Sequence, residues 1–481
     1  MGDSYDVLSD ESESQRRLVH ITTPPMPRYK PSRFNAHTTG EDGTLILYNT
    51  YSGHSCAFPP IAVARVRPYL SKQGVSGSLT KLGQYLLKKG YIVSSETDEG
   101  ARWDIRYGMQ QYRSDTLQLI LLSSEDCNLR CVYCSQEFKR DVMLPRVRDG
   151  IRNLVNSRIA SLRMLQISWF GGEPLLGYEA IEELAPYFQK LSLDHGVTFY
   201  SEITTNGYLL TPERSRKMLD WGIVNYQITI DGSPLEHDRH RPLKGGGATF
   251  HQIIDNVVAM KEHRGRFKIH LRVNFDRTTA GKLDPLFSLL RARIGDDDRF
   301  QMRFAPVGKW GGANDDELDT CGLREGITTW MELTDQARST GLKVEEYGRF
   351  LDPGSGPCYA TRPNSFVIGA DGKLMKCTRV LDTDPSNIVG HIHKDGTTEI
   401  DDDRLSAWIK PYYRSDPMCN KCFFVPLCQG AKCPLPRVQT GDRPCPSQKT
   451  LIRETLQYAW HEKVASREGN LVHISNVQTP S

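Results

Sequence analysis

No apolar run in this 481-residue chain approaches the roughly 20 residues that a membrane-spanning helix needs. Residues 1–17 are acidic and Ser-rich and lack the apolar core of a signal peptide. Gly2 stands where a myristoylated glycine would, but Asp6 occupies the position that requires Ser or Thr. Charge imbalance is missing too. The 61 Lys and Arg against 58 Asp and Glu leave a net +3, which gives no ground for a nucleic-acid or membrane partner. Gly245-Gly246-Gly247 lacks the lysine and helix start of a phosphate loop and reads as a flexible loop. What the chain does have is 12 cysteines. In a small secreted protein they would imply disulfides. Here the chain is large and the cysteines cluster at short metal-type spacings, so a cytoplasmic, reducing setting is expected. The length allows two or three domains.

The first cluster is Cys127-Asn128-Leu129-Arg130-Cys131-Val132-Tyr133-Cys134, directly after the apolar run 117–122. Its C-x3-C-x2-C spacing lets one tight loop turn three thiolates toward a single centre, as cysteine-ligated iron–sulfur clusters require. A zinc site would be closed by a fourth nitrogen or sulfur ligand, and none lies nearby in the sequence. Three ligands on a four-iron cube leave one iron open. The motif, with Tyr133 before its last cysteine, resembles that of the radical S-adenosylmethionine (SAM) enzymes. That resemblance implies a 4Fe–4S cluster whose open iron is chelated by SAM. On the motif alone, a chance run of buried or zinc-binding cysteines is the alternative.

Read in order, residues 1–32 are polar, then rich in proline and basic residues, and are expected to be a disordered lead-in. Residues 33–110 change in texture. A hairpin is expected over 44–58 with its turn at Tyr51-Ser52-Gly53, then helices over 61–70 and 79–89, then a short strand at 91–93. This unit is similar to the small winged-helix-like α+β domain that binds peptides in many radical SAM enzymes; a purely structural appendage is the alternative.

From 116 to 341 strands and helices alternate. Strands are expected at 117–122, 165–170, 198–204, 224–230, 268–275 and 299–305, with amphipathic helices between and after them. Thr211 and Thr249 are good N-cap signals. The fold class is therefore α/β, with a parallel sheet either open or curled into an incomplete barrel. The resemblance implies the second, a partial (β/α)6 TIM-like barrel with its site at the C-terminal ends of the strands.

Three of those strand ends carry polar or glycine-rich segments. Strand two ends in Gly171-Gly172-Glu173, where adjacent glycines suit close approach of a ligand to the backbone. The resemblance implies that this segment holds the SAM amino group. It also places Thr205, Thr229 and Asp231 near the SAM ribose and carboxylate; Asn206-Gly207 and Asp231-Gly232 are equally ordinary turn pairs. Arg241, in His237-Asp238-Arg239-His240-Arg241, suits the SAM carboxylate through its planar fork or a surface ion pair with a nearby acid. Arg272 and Asn274 share one strand face, lining the barrel interior or satisfying one another. No catalytic acid or base stands out.

After 345 the rhythm stops and seven cysteines follow: Cys358, Cys377, Cys419, Cys422, Cys428, Cys433 and Cys445. Their pattern resembles the SPASM extension of radical SAM enzymes, which sets 345–450 apart as an auxiliary iron–sulfur domain. The gap from Cys428 to Cys433 is one residue longer than the family's. The resemblance implies Cys419, Cys422, Cys428 and Cys445 on one auxiliary 4Fe–4S cluster, and Cys358, Cys377 and Cys433 on part of another. The fourth ligand of the latter is either Cys321 or an open position. One or two structural zinc sites are the alternative. Cys56 reads as a small buried hydrophobe. Residues 451–481 are expected to be a terminal helix and polar tail.

The resemblance thus implies an enzyme that generates a 5′-deoxyadenosyl radical, with a peptide or protein substrate carrying a leader segment. An electron donor such as flavodoxin or ferredoxin is the second partner. Maturation of a ribosomally synthesised peptide, by a carbon–carbon or thioether cross-link, is favoured. A sulfatase-maturase forming formylglycine is the rival, but that group carries an aspartate after the matching cysteine and Cys377 is followed by Thr378. A non-catalytic metal-binding scaffold is the third reading.

Overall fold

The computed structural model describes residues 26–138, 141–354, 356–430 and 433–465. The lead-in before residue 26 and the tail beyond 465 lie outside the described residues. Strands β1 (Arg28–Pro31), β2 (Asn35–Thr39), β3 (Leu45–Asn49), β4 (Ser55–Phe58), β5 (Val75–Ser76) and β6 (Ile92–Ser94) open the chain. β2, β3 and β4 form an antiparallel meander, and β1 lies between β5 and β6 in a second small sheet. The turn between β3 and β4 is held by the Asn49 side chain, whose oxygen accepts from the N–H groups of Tyr51 and Ser52 at 3.1 and 2.8 Å. Two features depart from the sequence reading. Residues 28–31, expected within a disordered lead-in, are paired: the extended backbone that Pro27 and Pro31 favour is taken up by β5 and β6, and Gly77 N–H donates to Pro27 O at 2.9 Å. A helix at Glu99–Gln111, not foreseen, buries Trp103 and Tyr107 against Tyr413, a residue some 300 positions on in the chain.

The next strands are β7 (Thr116–Ser124), β8 (Met164–Gly171), β9 (Thr198–Thr205), β10 (Ile223–Thr229), β11 (Lys268–Phe275) and β12 (Phe300–Pro306). They pair in sequential order, all parallel, as six βα repeats with short right-handed crossovers favour. Helices such as Pro145–Arg158 and Tyr178–Asp194 cover one face, where Leu117, Leu119, Leu121, Ile167 and Trp169 join their core. Period-two alternation turns the other residues to the opposite face. There Ser168 and Tyr200 donate to Glu202 at 2.7 and 2.9 Å, and Arg303 reaches Gln227 at 3.4 Å.

The barrel is not closed. The free edge of β7 is taken by β13 (Ser365–Ile368), in parallel register, and the sheet continues antiparallel through β14 (Lys373–Met375), β15 (Ile388–Ile392) and β16 (Thr398–Ile400) to ten strands. The cysteine-rich region therefore grows out of the same sheet: Val367 and Met375 pack with Ile120 and Leu122. The last helix, Ile452–Ala465, returns to the start of the chain, with Leu456 against Ala36, Ile46 and Tyr48. Among the described residues no helix is long and apolar enough to cross a membrane.

Candidate active site

The loop after β7 carries Cys127, Cys131 and Cys134 and is sewn to the segment after the helix Pro234–His240. Arg130 N–H donates to Pro242 O at 2.8 Å, Val132 N–H to His240 O at 2.9 Å, and Lys244 N–H to Asn128 O at 2.8 Å. Asp126 adds ion pairs to Arg130 (3.2 Å) and Lys244 (2.9 Å). The three thiols lie within electrostatic reach of one another. Burial pushes Cys127 up to about 12 and Cys131 up to about 11, and raises Cys134 as well. Thiols so buried ionise only when a cation compensates their charge, which is what metal ligation supplies. Among the described residues no three His, Cys, Asp or Glu side chains close around a single metal ion.

β8 ends at Gly171 with φ +140°, a conformation open to glycine alone. A Cβ there would overlap the Ser124 carbonyl oxygen, and one on Gly172 the Asp126 carbonyl. A neighbour that needs the space is the root of the cysteine loop itself. Gly172 and Glu173 N–H groups donate to Ser124 O and Asp126 O at 3.1 and 2.9 Å, completing the seam. The Glu173 side chain is fully buried. Its Oε1 accepts from Leu175 N–H (2.9 Å) and the Thr205 hydroxyl (2.7 Å), and its Oε2 from Asn206 N–H (2.7 Å), which leaves Oε2 with unused accepting capacity. Asn206, which the sequence offered only as half of a turn pair, donates from Nδ2 to Asn128 Oδ1 at 2.8 Å and to Cys127 Sγ at 3.7 Å.

Beyond β10 a second network forms around Tyr133. Its hydroxyl donates to Asp231 Oδ2 and accepts from Arg241 Nη1 at 2.7 Å and Asn274 Nδ2 at 3.0 Å. Asp231 Oδ1 accepts from Asn274 N–H at 2.8 Å, and Asp231 N–H donates to His237 Nδ1 at 3.0 Å. Arg241 is buried, 3.8 Å from Asp231, so a surface ion pair is not what it makes. Asp238 takes the capping role expected of Thr249, accepting from the N–H groups of Thr249 and Phe250, both at 2.8 Å. The Thr249 hydroxyl donates instead to Arg241 O at 2.8 Å. Thr229 ends β10 opposite Arg272, whose Nε donates to Asn274 Oδ1 at 2.8 Å. Around the cysteine loop, the buried Asn128 Nδ2, Gln136 Oε1 and Arg241 Nε have no partner among the described residues. A buried donor or acceptor left unpaired is costly, so this lining fits a polar ligand beside the cysteines.

The later cysteines fall into two groups. Cys358 lies within electrostatic reach of Cys377 and Cys433. Cys428 feels Cys422 and Cys419, and Lys449 bridges Cys422 to Cys445. Cys321 feels Glu325, Arg277, Asp276 and Asp319 instead of the first three. After Cys428 the backbone turns left-handed at Gln429 (φ 57°) and Gly430 (φ 80°). Asp416 ties the second group together. Its carboxylate accepts from Cys419 N–H at 3.2 Å and pairs with buried Arg437 at 2.9 Å and with Arg443 at 2.7 Å; Arg437 Nη2 also donates to Cys419 Sγ at 3.2 Å. Replacing Asp416 by Asn removes the charge both arginines share. We expect a loss of about 2 kcal/mol in unfolding free energy, read by chemical denaturation, and weaker retention of iron under a chelator. Parent-like retention would exclude Asp416 from the support of this group.

Residues 121–279 match the family model described as the Radical SAM superfamily. The serine-type anaerobic sulfatase-maturating enzyme of Klebsiella pneumoniae is 24% identical over 339 residues, 64% of this chain and 79% of that protein. The PqqA peptide cyclase of Bradyrhizobium diazoefficiens is 29% identical over 116 residues, 24% of this chain and 29% of that protein. A solved structure described as "Native anSMEcpe with bound AdoMet and Cp18Cys peptide" shares the fold, with a TM-score of 0.55 at 17% identity over 73% of this chain and 98% of that one.

Proposed function

We propose that this chain, which carries a radical SAM domain and is an enzyme of that class, modifies a ribosomally synthesised peptide by forming a carbon–carbon or thioether cross-link. One observation carries the reading. The cysteine loop, the Gly171–Glu173 turn and the Tyr133–Asp231–Arg241–Asn274 network meet at the C-terminal ends of β7 to β11. Cys127, Cys131 and Cys134 would hold a 4Fe–4S cluster. Glu173 through its spare lone pair, the unpaired Arg241 Nε, and Tyr133, Thr205, Thr229 and Asp231 would hold SAM against it. When bound, this pair supplies one-electron cleavage of the SAM sulfonium and, through it, hydrogen abstraction from an unactivated carbon. The protein orients SAM and keeps water from the buried end of the loop. Cys419, Cys422, Cys428 and Cys445, and separately Cys358, Cys377 and Cys433, would hold auxiliary clusters.

The related peptide cyclase, and the peptide bound in the structure of the same fold, support a peptide substrate. At the position after Cys377, Thr378 offers a hydroxyl in place of a carboxylate, and Tyr359 OH holds it at 2.9 Å. That speaks against formylglycine chemistry. The Klebsiella relative keeps sulfatase maturation as the second reading. A leader segment read by residues 33–110, a flavodoxin or ferredoxin as electron donor, and a cytoplasmic setting complete the proposal. The anaerobically reconstituted, reduced protein is expected to convert SAM to 5′-deoxyadenosine. With a short peptide encoded beside its gene, it is expected to remove two hydrogens without creating an aldehyde. A hydrazide-reactive aldehyde would favour the maturase reading, and colourless protein without 5′-deoxyadenosine would sink both.

A further inference from the structure

The loop between β12 and the helix Leu323–Ser339 lies against the first cysteine loop. Asn314 Nδ2 donates to Val132 O at 3.2 Å, and a Cβ on Gly312 would stand 2.8 Å from the Cys134 carbonyl oxygen. From the same loop Trp310, 48% exposed, carries the Arg379 guanidinium 3.8 Å from its ring centroid. Arg379 follows Cys377 by two residues. Its backbone N–H donates to Cys377 Sγ at 3.4 Å, and its Nη1 to Cys433 Sγ at 3.4 Å. One residue thus donates to two of the three thiols of that group. Its cation differs from the one at the other group. There Arg437 donates to Cys419 Sγ and shares the Asp416 carboxylate, 2.9 Å away, with Arg443. Arg379 makes no ion pair with a carboxylate among the described residues, and its guanidinium donates directly to a sulfur.

Hydrogen bonds and net charge at cysteine sulfurs set the potential of an iron–sulfur cluster. The reduced cluster carries one more negative charge than the oxidised one, so a cationic donor favours it and raises the potential. A stacked guanidinium keeps its in-plane N–H groups free to donate while the indole fixes its plane. We propose that Arg379, held by Trp310, is a positioning residue that raises the reduction potential of the cluster bound by Cys358, Cys377 and Cys433. The inference rests on reading those cysteines as cluster ligands.

The test uses the full chain with Cys127, Cys131 and Cys134 replaced by Ala, reconstituted anaerobically and titrated potentiometrically by electron paramagnetic resonance. Cys377→Ala identifies the signal by removing it. Arg379→Gln and Trp310→Ala are each expected to lower the reduced-to-oxidised ratio at a set potential about tenfold, a fall of about 59 mV for a one-electron couple. Arg379→Lys, which keeps the charge without the fork, is expected to recover part of the shift. The signal of the Cys419 group is expected to stay in place. Should Arg379→Gln not assemble the cluster, Trp310→Ala leaves every sulfur and the arginine in the chain and carries the test alone. An unchanged midpoint with the signal still lost in Cys377→Ala overturns the inference. Iron and signals unaffected by Cys377→Ala overturn the ligand reading itself, and the inference with it.

Discussion

Alanine at Cys127, Cys131 and Cys134 together is expected to abolish conversion of SAM to 5′-deoxyadenosine. It should remove about four iron atoms per chain and leave the remaining iron in place. The expectation follows from how the thiols are held. Burial favours their neutral forms, Cys127 up to about 12, so only a bound cation makes them thiolates. The cysteines that act on Cys127 and Cys131 are those of the same loop. The seven later cysteines stand in groups with their own cationic neighbours, Arg379, Arg437 and Lys449. Iron analysis and product chromatography under anaerobic conditions check both halves. Persisting cleavage would place the reactive centre elsewhere. Loss of all iron would show that the later groups depend on the first.

Gly171→Ala is expected to be nearly as damaging without touching a cysteine. The residue sits at φ +140°, and its new methyl group would overlap the Ser124 carbonyl oxygen. That oxygen cannot retreat, because it accepts from Gly172 N–H at 3.1 Å and Ser124 is paired with Gly171 across the sheet. Backbone strain and steric overlap together give an expected loss of about 3 kcal/mol or more. The displaced Ser124–Asp126 segment carries Cys127 with it, so iron uptake at the first loop should fail while the later clusters assemble. Gly196→Ala is the control. It has φ +66° but nothing within 4 Å, so only the conformational cost of about 1 kcal/mol remains. Equal losses in the two variants, by chemical denaturation, would refute the overlap argument.

Local features were legible in advance. The six parallel strands appear within a residue or two of their expected limits because alternating apolar and polar residues, followed by amphipathic helices, encode them locally. The hairpin of β3 and β4 declared itself through its turn residues, and Thr211 caps its helix as expected by accepting from Arg214 N–H at 3.3 Å. Features that depend on distant partners were not legible. β1 was hidden among prolines because its pairing comes from β5 and β6. That β13 and β14 extend the sheet from β7 was not legible, because nothing in residues 365–375 announces the edge that β7 offers them. At the site, Arg241 was as compatible with the surface as with the interior until the fold placed Tyr133 and Asp231 beside it. Asn206 looked like turn chemistry until Cys127 Sγ and Asn128 came within its reach.

The chemistry on offer is written in the order of residues along the chain. Covalent spacing holds Cys127, Cys131 and Cys134 within one loop, and sheet periodicity puts that loop and Glu173 at the same ends of adjacent strands. Which distant groups share a centre was settled by folding. It gathered Cys358, Cys377 and Cys433 from three separate segments, ordered Asp416 between two arginines, and laid Trp310 across Arg379. The physical reason is range. Backbone geometry is fixed over a few residues, whereas the convergence of groups tens to hundreds of residues apart exists only once packing has closed the chain around them.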